Sequence, residues 1–560
     1  MNKTRLAAAL TLSALTLSMA QGAQYRIVEL DVSDKGQNIF PVDVNASGEI
    51  AVNVTTPFNP PIDGSLIDFE SQTLIDNLTD IEAAKAGNYN DADYLLLYKL
   101  IALNHESLTV QQIAQTHAYL ADEGTSKFVP GFDQLDTSNA YSFSNDTIVR
   151  AVNDLGSTVG TSFDLFYTLD YLSNLESGTD ITYVVNDFYS RAFAQVNGTT
   201  VELPPIADTA GGKSVAYDIN TSNQVAGYST TLLNSTTLQT AIDTCEDDTT
   251  RPDEPIEVCL RKLSLSENSS GAKELEFSFQ RRGTIWQLDN QGNIISTKEL
   301  GLLYTPEVDD ANSYLSRAVA INDSGVAVGD SQDELRDTGR ISTFAAVFSG
   351  DAVTPITDED EYFSSAATDI NNAGLITGQG FKTVNGTTRS KFFVYDLNTD
   401  ETVFPADFFQ GSSSVARDIN NAGMVVGKGE VEGTISNRRN AAFVYNHNTT
   451  EFQDLNGLVE CHSVYTLVDA VAINDSNVIA ATARIRSVAQ NILGQNIVDD
   501  NGDDVLTDKI VAVRLEPITG GTIDECDLDP DDVASNERKG AGLGFLNILG
   551  LLLIGWRRWQ

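Results

Sequence analysis

Seven copies of one short pattern, small-x-(Asp/Ala)-(Ile/Val)-Asn-x-x-Gly-x-x-x-Gly, run through this chain and limit what it can fold into. The cleanest copies run from Ala367 to Gly378 and from Ala416 to Gly427. The others centre on Asn45, Asn153, Asn220, Asn322 and Asn474. Asn322, Asn371 and Asn420 are spaced by 49 residues, and Asn474 follows 54 later. One unit per roughly 50 residues is the period of a propeller blade. The earlier gaps, of 108, 67 and 102 residues, read as the same unit carrying insertions.

Each copy has a local physical reason. Asn first and Gly last suit a type I turn, because Asn bonds its own backbone two residues on and Gly accepts positive φ. Gly156, Gly325, Gly374 and Gly423 hold the turn position, while Asn223 and Asn477 replace it in two copies. Asn tolerates the left-handed conformation, so those turns are expected to survive. The closing Gly lets a second backbone approach. Val52 and Ala481 stand there in the first and last copies.

Aromatic and β-branched runs such as Phe392–Tyr395 and Ala441–Tyr445 follow each turn and read as further strands. One unit then reads as four strands, at about 365–370, 375–381, 391–397 and 402–405. The last unit stops after its third strand, and Tyr25–Leu30 is a spare strand before any turn. The expectation is an all-β chain: a β-propeller over 24–520, with seven blades of four strands, closed by the N-terminal strand. An open β-solenoid is the alternative. An Arg recurs four residues before an aromatic, at Arg282, Arg340, Arg389 and Arg439. It is expected to pair with Asp369 or Asp418 of a neighbouring unit, or else to line a shared channel.

Two insertions differ in character. Residues 62–125 read as helical, with Leu66–Ile81 one helix and a capping box at Thr109–Gln112 opening another through His117. Residues 230–275 are acidic and Pro-broken around Cys245 and Cys259, which reads as a disulfide-closed loop. Cys461–Cys526 is the expected second pair, and the scattered Cys and His positions disfavour zinc.

The ends carry addresses. Lys3 and Arg5, the apolar stretch Leu6–Leu17 and Ser18-Met19-Ala20 form a secretory signal over 1–20. This makes the Sec export machinery a partner and makes disulfides permissible. An acidic linker at 527–539 leads to a tail at 540–560, whose apolar stretch Ala541–Trp556 is followed by Arg557 and Arg558. A net charge of −44 repels nucleic acid and anionic lipid, which leaves the tail as the one contact with a membrane. Asp499, Asn501 and Asp503 begin like a calcium loop, but Ile510 stands where its bidentate acid belongs. Calcium is the one cofactor raised, with a plain hairpin turn the alternative. No nucleophile elbow, phosphate loop, zinc-protease motif or dinucleotide fingerprint occurs, so no catalytic residue is assigned.

The segment Asp369–Gly374 and its sisters resemble the HAF repeat of extracellular bacterial proteins. The layout of signal, interrupted repeats and tail resembles a family of secreted Gram-negative proteins of unknown function. The tail is similar to a GlyGly-CTERM sorting signal, with Ala541 in place of the second Gly. That resemblance implies a rhomboid-type protease as partner and transfer to the cell surface. A periplasm-facing anchor in the inner membrane is the alternative. The expected function is an exported, surface-associated, non-enzymatic binding module of unknown ligand. The alternative is a secreted hydrolase or lyase acting on polysaccharide.

Overall fold

The computed structural model describes residues 23–523, apart from 138, 175–177, 179, 267–276, 308–309, 337 and 433–437. The signal segment, the acidic linker, the tail and Cys526 lie outside the described residues. Seven four-stranded antiparallel sheets form a seven-bladed β-propeller. The regular unit appears in blade 5, with strands Ser364–Ile370, Leu375–Val384, Thr387–Asp396 and Glu401–Val403. Blade 7 is completed by the N-terminal strand Tyr25–Glu29, which pairs antiparallel with Leu506–Pro517, Tyr25 opposite Pro517. The ring therefore closes by pairing the N-terminal strand with the last described strand, which covers the edge that Leu506–Pro517 would otherwise expose.

Hydrophobic burial follows the same repeat. Seven clusters of buried side chains each fill the gap between two neighbouring blades. Third-strand aromatics such as Phe193, Trp286 and Phe443 are among the largest wholly buried groups.

Every innermost strand carries a β-bulge three residues before its repeated Asn, at Val42, Arg150, Tyr217, Val319, Thr368, Arg417 and Val471. The bulge explains the closing glycine. A Cβ on Gly160, Gly227, Gly329 or Gly427 would lie 2.0–2.1 Å from a carbonyl oxygen of the bulged strand. The turn position also behaves as the sequence reading required: Gly374 has φ +88°, and Asn223 and Asn477 adopt +56° and +59°.

The insertions share one address. Long connections between second and third strands occur in blades 7, 1, 2 and 3, which are consecutive around the ring. All four emerge on the face opposite the Asn turns. Blade 1 contributes three helices: α1 (Gln72–Asn77), α2 (Ile81–Lys85) and α3 (Asp91–Leu103). Blade 2 contributes a hairpin, Tyr167–Leu172 with Asp180–Val185. Blade 3 contributes α4 (Thr236–Glu246) and α5 (Ile256–Leu265), joined by the Cys245–Cys259 disulfide.

Three expectations need correction. Residues Gln111–Ala114 form no helix, and Thr116–Ala121 is the third strand of blade 1. The helical insertion thus ends before 116, because His117 and Leu120 face a blade core rather than a helix partner. The segment read as a loop around Cys245 is largely helical, with the acidic stretch confined to the link between α4 and α5.

The third correction concerns the repeated arginines, which do not meet Asp369 or Asp418. Arg439 pairs with Glu432, and Arg282 donates to the carbonyls of Arg281 and Tyr314. Arg389 reaches the carbonyl of Thr388, and Arg340 is exposed. They sit on or just before third strands, one strand removed from the axis.

Candidate functional site

Two places gather polar chemistry, and they differ in kind. The first is the axis. Each repeated Asn accepts through Oδ1 from the N–H groups two and four residues on, as Asn371 does from Ala373 (3.0 Å) and Leu375 (2.9 Å). Its Nδ2 is then free to donate sideways. Asn153 donates to the Asn220 carbonyl, Asn220 to Asn322, Asn322 to Asn371, Asn371 to Asn420, Asn420 to Asn474, and Asn474 to Asn45. Asn45 alone turns away, donating to Glu49 at 3.0 Å. The seven Asn side chains are 3–7 % exposed, so these bonds are shielded from water.

Two residues before the Asn, four blades carry an aspartate: Asp43, Asp218, Asp369 and Asp418. One carboxylate oxygen of each accepts from a backbone N–H of the next blade. The donors are Val152 (2.8 Å), Ile321 (2.8 Å), Ile419 (3.0 Å) and Ile473 (2.6 Å) respectively. Burial pushes all four upward, Asp218 to about 7 and Asp418 to about 6, and the neighbouring aspartates add to the rise. Asp43 and Asp418 line an axial cavity of about 210 Å³ at the Asn-turn face. Among the described residues, no group of three or more acidic, His or Cys side chains is placed to hold a metal ion. At Asp499, Oδ1 accepts from the N–H groups of Asn501 and Asp503, closing a tight hairpin turn.

The second place lies under the insertions. A cavity of about 440 Å³ is walled by the segment after α3, by Asp146, by the aromatic rings of Phe163, Phe166 and Tyr189, and by Arg261 of α5. Three insertions meet there, tied together by direct bonds. Val184 N–H donates to the Leu108 carbonyl, and Asp253 accepts from Tyr171 Oη (2.8 Å) and Ser173 Oγ (2.6 Å). Those bonds and that of Asn174 pull Asp253 down to about 2.

Arg261 is 6 % exposed. Nη1 donates to Ser264 Oγ at 2.9 Å, the guanidinium lies 5.0 Å from the Tyr189 ring centre, and Nε is buried without a partner. Asp164 adds an electrostatic pull but makes no ion pair, spending its oxygens on the N–H groups of Leu165 and Asp187. Burial brings Arg261 down to about 10. Asp146 takes the N–H groups of Gln115 and Thr116 on one oxygen, at 2.6 and 2.7 Å, and burial raises it. Sequence reasoning missed this groove. Its one faint signal was an Arg on the apolar side of a helix inside a segment taken for a loop.

The chain belongs to a family described as a protein of unknown function (DUF3466), whose sequence model matches residues 3–559. No curated protein matches it. Among solved structures it is similar to the β-propeller domain of the Trilobed protease from Pyrococcus furiosus, at 8 % identity and a TM-score of 0.35. That match covers 85 % of this chain and 98 % of the other. It is also similar to an acylaminoacyl peptidase of Pyrococcus horikoshii, at 10 % identity, 87 % and 54 % coverage and a TM-score of 0.34. Likenesses this faint carry no argument about activity.

Proposed function

Taking membership of that uncharacterised family as the premise, we propose that this is an exported, surface-associated, non-enzymatic binding module whose ligand site is the groove under the insertions. One observation carries the reading: all four long insertions rise on the same face of four consecutive blades, and those of blades 1, 2 and 3 enclose the largest of the described cavities. Its 440 Å³ falls within the usual range for small-ligand pockets. The axis is the weaker candidate, because its aspartates are spent on backbone N–H groups between blades.

Export is supported by the charged, apolar and small-residue order of 1–20 and by the Cys245–Cys259 bond, which persists in an oxidising compartment. The Gly-rich, apolar and basic order of 540–560 supports processing by a rhomboid-type protease and surface display. Among the described residues, no helix is long and apolar enough to cross a membrane.

The test is a glycan and small-molecule binding screen run beside a turnover screen. Binding without turnover that is lost on filling the groove by Gln112→Trp supports the module. Turnover lost on Asp218→Asn or Asp418→Asn would install the polysaccharide enzyme instead. Intact-mass analysis of surface protein decides the tail: a chain lacking Phe545–Gln560 supports sorting, and a full chain in the inner membrane establishes the anchor.

A further inference from the structure

Arg261 is costly where it stands. A buried guanidinium without an ion pair forfeits hydration and gains little in return. Its surroundings return one neutral hydrogen bond and one ring contact. Nε is buried without a partner, and among the described residues Nη2, the other donor along the same edge of the guanidinium, makes no hydrogen bond. That edge is the fork that matches a carboxylate in two parallel hydrogen bonds. Beside it, Phe163 and Tyr189 stand with ring centres 4.6 Å apart, and Phe166 completes an aromatic wall. Asp146, also in the wall, spends only one oxygen on the backbone, so its other oxygen is left to accept from a hydroxyl.

We propose that the groove binds a carboxylate-bearing sugar ring, with Arg261 taking the carboxylate, the aromatic wall packing on the ring's apolar face, and Asp146 accepting from ring hydroxyls. This rests on the reading of the groove as the ligand site. The three features select together. A neutral sugar leaves the cation unpaired, and a simple dicarboxylate leaves the aromatic wall and the Asp146 oxygen unused. The saccharide is thus a uronate unit, free or within an acidic polysaccharide.

Calorimetric titration tests this with uronate tetramers of three backbones (alginate, polygalacturonate and glucuronan), their carboxyl-reduced counterparts, and succinate. At least one acidic tetramer should bind ten-fold or more tighter than its reduced counterpart and than succinate. Arg261→Met should abolish that preference while leaving the thermal transition unchanged or raised, since an unpaired buried charge is removed. Phe166→Ala should weaken the acidic and reduced forms alike.

Equal affinity for acidic and reduced forms, both lost on Gln112→Trp, would remove the carboxylate role and leave the groove standing. Saccharide binding indifferent to Gln112→Trp would remove the groove itself. Succinate matching the tetramers, no tetramer bound, or an Arg261→Met protein that melts several degrees lower with its preference intact would each overturn the proposal.

Discussion

Around the axis, the repeated polar side chains have repeated partners: six of the seven Asn donate to the next Asn carbonyl, and each Asp accepts from the next blade's N–H. In the groove, a buried cation makes one neutral hydrogen bond and leaves its Nε without a partner. The first arrangement is what a scaffold needs, since each bond fixes one blade against its neighbour and buried polar groups are costly unless satisfied. The second is what a scaffold avoids and a ligand site retains. The regular blades 4 to 6 carry short connections on the face where blades 7, 1, 2 and 3 carry long ones, so the departure from repetition marks the face that differs in chemistry.

The sharpest way to break the scaffold half is to remove the closing strand. Truncation after Leu30 exposes the edge of Leu506–Pro517 and strips Tyr25, Val28 and Leu30 from their buried sites. At about 1.5–3 kcal/mol for each large apolar group, this should cost 5 kcal/mol or more, seen as loss of a single cooperative transition in denaturant. An unchanged transition would mean that closure contributes nothing.

Asn420→Ala comes next. It orphans the N–H groups of Ala422 and Met424 and the Asn474 carbonyl at once. A loss of about 3–5 kcal/mol is expected from urea unfolding, given about 1–3 kcal/mol for each buried unsatisfied group and partial relaxation. Opening the canopy disulfide by Cys245→Ser should cost up to about 3 kcal/mol in the chain-entropy model. Hydrogen exchange should rise in α4 and α5 and hardly at all in the blades.

The two regions should also answer pH in opposite directions. The axial aspartates are raised in the folded state, so the native chain holds protons that the unfolded chain releases above about pH 4. Their contribution is complete below the unfolded value and is lost as pH rises through about 6 and 7. The melting temperature should fall from pH 5 to 8, and Asp218→Asn should flatten that slope. Asp253 is depressed to about 2, so its hold on the blade 2 hairpin is present above the ordinary carboxylate value and fades as pH falls towards 2. Acid should therefore loosen the canopy before the ring, which exchange measurements at pH 3 can follow. The smallest effect belongs to Arg389→Ala, expected within about 0.5 kcal/mol because its side chain is remote from the axial aspartates.

Much of the fold was legible because its code is local. An Asn, a positive-φ residue three positions later and flanking apolar runs specify a strand, a turn and a strand within a dozen residues. Seven repetitions set the blade count, and two half-used ends announced the closure. The reading failed where partners are distant. The recurring Arg and Asp looked complementary as a pattern, yet the bulge turns the aspartates towards backbone N–H groups one blade away. The capping box at Thr109 was sound chemistry overridden by the strand that blade 1 required.

The sequence by itself determined the scaffold, because each turn, bulge and closing glycine is decided by residues within one unit and confirmed by repetition. Only the tertiary structure decided the site. The groove draws on residues near 110, 163–189 and 261, carried by three insertions that share no repeat, and on Asp146 from the link between blades 1 and 2. Arg261 is an ordinary helical residue until the folding of the ring and its insertions surrounds it with low-dielectric wall and leaves it without an ion pair.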